Sequence, residues 1–460
     1  MKLVYLLGGA LLPLALSACA LAPPARVALP APAQWQTPLP HNGSLTDLSQ
    51  WWRSQGDPVL VQLIASAQSA SPDIATAGER IAAARAQRVA ASAALLPSLD
   101  AGASISRANQ QGLQPGGTTS QGGLQAAWEL DLFGGNRAAR SAVQARLAGA
   151  SAQWHEARVA VAAEVANTYY SLRACEQLLV VARQDAASRA DTARLTQLTA
   201  DAGFQAPATA ALARASAAEG NSRATLQNAL CEIDIKTLVA LSAIEEPALR
   251  ARLAASAPVP APAIAIATLP AQLLAQRPDV FAAERQVAAA SFDVGSAQAQ
   301  RFPRLSLSGA IGAANFRSGG ENIQTDTWTI GPLAVSVPIF DAGVRRANVD
   351  TAKARYEAAV IGYRATARQA VREVEQALVN LNSSDSRARD AQVSLEGYRI
   401  AFVAAEDRFK NGLGSLLELE DARRTRLASE NAVVTLQRER SSAWVALYRA
   451  AGGGWSPASN

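Results

Sequence analysis

The first of three cysteines ends an N-terminal segment whose residue order predicts covalent lipid attachment. Lys2 gives a positive charge, residues 3–16 are mostly apolar, and Leu16-Ser17-Ala18-Cys19 follows. This order is typical of a bacterial lipoprotein signal. Cleavage before Cys19 would leave its thiol to take diacylglycerol (S-diacylglycerol) and its amine to take an N-acyl chain. The alternative is an ordinary secretory signal with a cysteine there by chance. We expect residues 1–18 to be removed.

The residue after the acylated cysteine bears on the destination of the chain. It is Ala20, whereas an Asp there would resemble an inner-membrane retention signal. Sorting to the outer membrane is therefore favoured, with outer-membrane lipid as a partner. More than one acyl chain gives a stable anchor.

The other residues that could do chemistry are few. The mature chain has only Cys175, Cys231, His41 and His155 as soft or nitrogen ligands, and their spacing does not match a metal site. We find no serine-nucleophile elbow, no phosphate-binding or dinucleotide glycine loop, and no paired His/carboxylate cluster. The sequence therefore predicts no enzyme, no metal and no cofactor apart from the lipid on Cys19.

Composition favours closely packed helices. Of 460 residues, 49% are hydrophobic but only 5% are aromatic, and much of the apolar share is alanine, the strongest helix former. The net charge is +5, and the basic residues are scattered among acidic ones rather than clustered, which argues against nucleic acid as a partner. No internal run is long and apolar enough to predict a membrane-spanning helix.

The chain is written twice. Ser71-Pro72-Asp73-Ile74 recurs as Arg277-Pro278-Asp279-Val280, and Leu96-Pro97-Ser98-Leu99 recurs as Phe302-Pro303-Arg304-Leu305, both 206 residues later. Asp131-Leu132-Phe133 matches Pro338-Ile339-Phe340 at an offset of 207 for the phenylalanine. A duplicated unit with a few insertions gives such a small drift.

Each copy has the same internal order. A helix of about 24 residues lies between the two prolines, at 73–96 and at 279–302; two strand-like runs follow it, and then two very long helical runs around a glycine turn. Taking 137–203 as one helix gives a length of roughly 100 Å at 1.5 Å per residue. Such a helix needs a partner along its length, and the antiparallel return after Gly203 supplies one.

The strand-like runs alternate between apolar and polar residues. Leu124, Trp128, Leu130 and Leu132 point one way, and the polar residues between them point the other way. This pattern suits a half-buried strand of a soluble sandwich, and it also suits a membrane barrel with lipid outside and water inside. Four strands cannot close a membrane barrel, so several protomers must contribute if this chain forms one.

These patterns divide the chain into consecutive segments. The signal peptide covers 1–18, and a lipid anchor with an extended N-terminal segment covers 19–57. The first repeat is 58–257, with a strand hairpin at 98–132 and a helical hairpin at 137–243. A Pro-rich linker at 258–268 leads to the second repeat, 269–455, with hairpins at 304–339 and 343–450. A short tail, 456–460, ends the chain.

At this point the residues resemble a known family. Trp51-Trp52-Arg53 with Asp57-Pro58, the run from Leu269 to Val280 followed by Ala283-Glu284-Arg285, and Asn411-Gly412-Leu413-Gly414-Ser415 are similar to motifs of TolC-like outer-membrane factors of resistance–nodulation–division (RND) efflux pumps. The lipid-anchored members related to NodT are the best match. The resemblance covers essentially the whole mature chain.

The resemblance implies a fold and partners. The fold would be mainly α with a membrane β-barrel: a homotrimer in which each protomer gives four strands to a twelve-stranded barrel and two long hairpins to a periplasmic α-helical tunnel. The partners would be a periplasmic adaptor (membrane-fusion) protein and an inner-membrane RND transporter. The function would be to conduct drugs or other small solutes out of the cell. The alternatives are the outer-membrane duct of a type I protein-secretion system and a periplasmic coiled-coil scaffold without a pore.

The hairpin tips are the predicted adaptor-docking residues. Gly412 and Leu413, with Gly414, form the main site, and Gly203 and Phe204 form the weaker equivalent. A glycine permits the left-handed backbone that reverses a helix, and the next apolar side chain is left exposed for a partner. The alternative is a mere turn. The first tip departs from the family pattern because Pro207 follows it, but proline is tolerated in a first helical turn.

A charged run just past the second tip is the predicted periplasmic gate. Leu417, Asp421 and Arg424 are four and three residues apart and so share one helix face. Carboxylates and guanidinium groups from neighbouring protomers could hold the resting aperture shut. Glu418 and Glu420 point elsewhere and are weaker candidates. The alternative for the whole run is a solvated helix face.

Cys175 and Cys231 lie 28 residues on either side of Gly203. In an antiparallel hairpin both cysteines therefore sit at the same height, about 42 Å from the turn. The periplasm is an oxidising compartment. We expect a disulfide across the first hairpin, the alternative being two buried free thiols.

Overall fold

A computed structural model describes residues 27–28, 31–32, 34–37, 51–54, 56–110, 114–255 and 270–455. The predicted signal peptide, the acylation site Cys19, the linker at 258–268 and the tail at 456–460 lie outside the described residues, as does most of the segment 19–57.

The elements follow the predicted duplicated order. In the first half they are α1 (Trp51–Ser54), α2 (Pro58–Ala70), α3 (Pro72–Ala93), β1 (Ser98–Gln110), β2 (Gln114–Leu130), α4 (Gly135–Asp201), α5 (Pro207–Ser242) and α6 (Glu246–Ala254). In the second half they are α7 (Pro270–Ala275), α8 (Pro278–Ala299), β3 (Arg304–Ser318), β4 (Glu321–Ser336), α9 (Val344–Lys410), α10 (Leu416–Ala450) and a 3-10 helix (Gly452–Gly454).

The four strands form one antiparallel sheet in the order β1-β2-β3-β4. The register pairs the two halves of the chain through β2 and β3, with Leu124 opposite Ile311 and Trp128 opposite Leu307. Residues opposite each other point to the same face of a sheet. The apolar sets of the two repeats therefore share one face, and several of their side chains are exposed.

The short helices α3 and α8 are each 22 residues long and end three residues earlier than the sequence predicts. The chain then makes one tighter turn: the Leu96 amide donates to the Ala93 carbonyl, and the Phe302 amide donates to the Ala299 carbonyl. The proline that follows each turn cannot donate a hydrogen bond, so the helix does not continue.

The long helices begin where a carboxylate caps them. Asp131 accepts hydrogen bonds from the amides of Asn136 and Arg137 at the start of α4, and Asp341 accepts from the amides of Gly343 and Arg345 at the start of α9. A carboxylate at a helix N-terminus satisfies amides that have no partner within the helix. These contacts place the helix starts within two residues of the predicted bounds.

A large apolar core lies among the helices of one compact unit, formed by described residues of 30–76 with 154–280 and 367–455. Trp51 stacks on Tyr448, with ring centroids 4.9 Å apart. Asp57 caps α2 by accepting from the amides of Val59 and Leu60, and it accepts a 2.5 Å hydrogen bond from the Tyr169 hydroxyl. The Trp51-Trp52 and Asp57-Pro58 motifs are thus structural.

A second compact unit, Ala77–Gln153 with Phe281–Thr366, contains the sheet. Each unit draws on both sequence repeats, so the repeats are not separate compact bodies. The sequence prediction also lacks the helices α2 and α6.

Within the described ranges, no helix combines the length and the apolar composition needed to cross a membrane.

Candidate functional site

The second hairpin turns at Gly412 through a tight helix-ending motif. Gly412 has φ +72°, its amide donates to the Phe409 carbonyl, and the Leu413 amide donates to the Arg408 carbonyl. This pair of bonds is the Schellman arrangement, which needs a left-handed residue that glycine adopts without strain. The Leu413 side chain, the predicted docking group, is 73% exposed.

The first hairpin turns at Gly203 in the same way. Gly203 has φ +79°, its amide donates to the Ala200 carbonyl, and the Phe204 amide donates to the Thr199 carbonyl. Phe204 is 85% exposed. Pro207 occupies the first turn of α5, where its missing amide costs nothing. The two tips therefore present an exposed apolar side chain at the same position of the same turn.

The returning helices begin differently. Ser415 and Glu418 form a capping box at the start of α10: the Glu418 amide donates to the Ser415 hydroxyl, and the Ser415 amide donates to the Glu418 carboxylate. The N-cap of α5 is Ala206, which has no side-chain cap. Gly414 lies close to Arg408 and Glu418, since an added Cβ would stand 3.3 Å from each. The second tip is thus the better fixed of the two.

The predicted gate residues share one exposed face of α10. The Leu417, Asp421 and Arg424 side chains are all exposed, and the Arg424 guanidinium lies 2.5 Å from the Asp421 carboxylate within the same chain. An exposed ion pair of this kind contributes at most about 1 kcal/mol. Its charges remain available to other groups that approach this face.

The opposite face of α10 carries a buried charged cluster that the sequence prediction missed. Arg423 is 0% exposed, pairs with Glu420, and donates to the hydroxyls of Ser188 at 3.1 Å and Thr192 at 3.0 Å on α4. Burial lowers the pKa of the Arg423 guanidinium.

A second arginine extends the cluster. Arg189 donates to Glu420 at 2.6 Å and to the buried Asp185 at 2.8 Å. It lies over Gly220 on α5, where an added Cβ would stand 2.9 Å from the Arg189 Cδ. The two arginines and Glu420 therefore join α10 to α4 beside the predicted gate.

The sequence held a signal for this cluster. Glu420 and Arg423 are three residues apart and alternate around the helix with Asp421 and Arg424, so the two pairs face different ways. The charged run from Glu418 to Arg426 is therefore neither wholly a solvated face nor wholly a gate.

Cys175 on α4 and Cys231 on α5 are joined in the structure, with Cα atoms 5.5 Å apart. Both residues are buried, in the apolar core described above. The bond lies where equal distance from Gly203 predicts it.

The most recognisable sequence run also holds helices together. Arg277 is buried, binds Asp279 and Glu373 through its side chain, and donates to the Ala450 carbonyl at 3.0 Å. Removing it would leave two carboxylates and a carbonyl without their partner. The run from Leu269 to Val280 therefore marks a structural contact of α8 with α9 and α10.

Groups of three or more His, Cys, Asp or Glu residues that could hold a metal ion are absent from the residues described.

Comparison with known proteins decides the family. The sequence profile of the family described as "Outer membrane efflux protein" matches residues 63–240 and 269–453. The chain belongs to this family. The two matched stretches correspond to the two repeats and leave out the Pro-rich linker between them.

Relatives match this efflux family member over nearly its full length. The solvent efflux pump outer membrane protein SrpC of Pseudomonas putida is 31% identical over 97% of this chain and 98% of its own. Nodulation protein T of Rhizobium leguminosarum bv. viciae is 30% identical over 91% of this chain and 87% of its own. The solved outer-membrane channel OprN is 30% identical, has a TM-score of 0.83, and covers 94% of this chain and 99% of its own.

These findings confirm the predicted family and fold class. The chain is an outer-membrane efflux channel component of the TolC-like kind, located in the outer membrane. Its family and its structural neighbours are channels.

Proposed function

We propose that three copies of this chain form the exit channel of a tripartite RND-type efflux pump. The sheet carries the proposal: in the order β1-β2-β3-β4, β1 and β4 each have one edge that no described strand of the chain pairs. An open edge invites pairing with another chain, and a membrane barrel must close. Three copies supply the twelve strands that the family resemblance implies, and six helical hairpins for the tunnel.

The partners of the channel are a periplasmic adaptor and an inner-membrane RND transporter. The exposed apolar residues Leu413 and Phe204 at the tips are the docking groups for the adaptor. Leu417, Asp421 and Arg424 form the periplasmic gate. The cargo is a small solute, a class supported by the solvent efflux pump to which SrpC belongs by name.

The channel is further held in the outer membrane by lipid on Cys19, with S-diacylglycerol and an N-acyl chain. The order of residues 3–19 supports this anchor. Intact-mass analysis of membrane-purified protein should show the loss of residues 1–18 and the added lipid mass, and Cys19→Ser should remove that lipid. Unchanged acylation in the variant would contradict the assignment.

A deletion strain tests the efflux role against protein secretion, the second candidate. Cells that lack the chain should accumulate a lipophilic fluorescent dye, and their set of secreted proteins should stay unchanged. Complementation with the intact chain should restore dye efflux. Unchanged dye levels with a lost secreted protein would favour the type I secretion duct instead.

A further inference from the structure

The two repeats have helices of equal length. The short helices α3 and α8 have 22 residues each, at an offset of 206, and the long helices α4 and α9 have 67 residues each, at an offset of 209. The glycines with positive φ that flank the long helices keep the same offset, since Gly134 corresponds to Gly343 and Gly203 to Gly412. Residues of one repeat can therefore be matched to residues of the other without ambiguity.

One of these helix pairs is packed within the chain. Ala142 and Ala145 of α4 and Ala289 of α8 form a buried cluster, with Ala142 and Ala289 at 0% exposure. Arg146 of α4 forms an ion pair with Asp293 of α8 next to it. Small residues at the contact let the two helix backbones approach closely.

The matching pair is not packed within the chain. Thr351, Ala354 and Arg355 of α9 correspond to Ala142, Ala145 and Arg146, and all three are exposed. On α3, Ala83 corresponds to Ala289 and is only half-buried, while Gln87 corresponds to Asp293 and is exposed. The same two helix faces are thus covered in one pairing and bare in the other.

The turns between helices and strands show the same contrast. Phe133 stacks on Phe302, with ring centroids 4.9 Å apart. Their sequence counterparts, Phe340 and Leu96, are 90% and 67% exposed. The turn that holds Phe340 is two residues longer than the turn that holds Phe133, so the helices fix the alignment better than the turns do.

The strand order says what covers the bare faces. Strand β2 leads into α4 and α8 leads into β3, so the pairing of β2 with β3 brings α4 beside α8. In the same way β4 leads into α9 and α3 leads into β1, but β4 and β1 lie at opposite edges of the sheet. They can pair only between chains.

We propose that α9 of one copy packs on α3 of a second copy of this chain, with the α4–α8 contact as its template. Ala354 meets Ala83, and Arg355 meets Gln87, so an amide oxygen replaces the carboxylate that Arg146 finds within the chain. The inference rests on the proposed homotrimer and names the residues through which its protomers touch below the barrel.

Cysteine cross-linking tests the contact, because a disulfide forms only between Cβ atoms about 3.5–4.5 Å apart. The variant pair Ala83→Cys with Ala354→Cys, oxidised in the membrane, should give covalent dimers and trimers on a non-reducing denaturing gel. The matched pair Ala145→Cys with Ala289→Cys should cross-link within one chain and leave the gel mobility near that of a monomer. Each single variant should give no ladder.

Light scattering of the detergent-solubilised variants separates this inference from the homotrimer. Three copies per particle together with the covalent ladder would support the contact. Three copies without a ladder, or a cross-link between positions 83 and 354 that is confined to one chain, would overturn it while the trimer stands. A particle of any other copy number would overturn the homotrimer itself.

Discussion

Cys175 and Cys231 face each other across the first helical hairpin, 28 residues from Gly203 on either side and with Cα atoms 5.5 Å apart. We predict that the two residues are oxidised in protein purified from the outer membrane. Under denaturing conditions without reductant, neither should react with a maleimide, and both should react after reduction. A variant with Ser386→Cys, at an exposed position, is the control for labelling.

The same bond should stabilise the hairpin. Closing a loop of 56 residues stabilises by about 3–4 kcal/mol in the chain-entropy model. Cys175→Ser with Cys231→Ser should therefore lower the denaturant midpoint of the helical circular dichroism signal. Two labelled cysteines without reductant would show that they are free thiols.

The exposed leucine of the second tip should be the stronger adaptor contact. Burying a leucine side chain contributes about 1.5–3 kcal/mol, so Leu413→Asp should weaken adaptor binding at least about tenfold. Phe204→Asp, at the less well-fixed tip, should have a smaller effect. Surface plasmon resonance with the purified adaptor measures both. Equal affinity of the Leu413 variant and the wild type, with trimers intact, would reduce this glycine motif to a turn.

The exposed pair on α10 should limit conductance. Replacing Asp421 and Arg424 by Ala removes the charges proposed to hold the gate shut, and single-channel conductance should rise. The matched control is Asp385 and Arg440, another exposed ion pair, 2.8 Å apart, whose replacement by Ala should change nothing. If both double variants conduct like the wild type, the Asp421–Arg424 pair is an ordinary solvated pair.

Two neighbouring arginines on α10 should differ in their effect on stability. Breaking a buried ion pair costs about 3–5 kcal/mol, whereas an exposed pair is worth less than about 1 kcal/mol. Arg423→Ala should therefore lower the free energy of unfolding much more than Arg424→Ala. Chemical denaturation in detergent, followed by circular dichroism, compares them. Equal losses would mean that the Arg423 cluster does not hold α10 to α4.

The sequence predicted the elements of this fold well because each has a strong local cause. The prolines at 72, 97, 278 and 303 delimit the short helices, and Gly203 and Gly412 end the long ones. The equidistance of the cysteines from Gly203 depends only on the constant rise of a helix. None of these inferences needed knowledge of distant contacts.

The buried cluster could not be obtained in this way. Whether Arg423 or Arg424 faces solvent depends on where α4 lies against α10, and that contact joins residues more than 230 positions apart. A run of mixed charges gives no such information. The bare faces of α3 and α9 were likewise hidden, since they become visible only when their packed counterparts on α8 and α4 are known.

Planar lipid bilayer recording tests the central claim most directly. Purified protein that contains three copies per particle should give discrete ion-conductance steps as single channels insert, and the variant with Ala at positions 421 and 424 should give larger steps than the wild type. An intact trimer that inserts into the bilayer and conducts no ions, in the wild type and in the gate variant alike, would contradict the proposal that this chain forms the exit channel of an efflux pump.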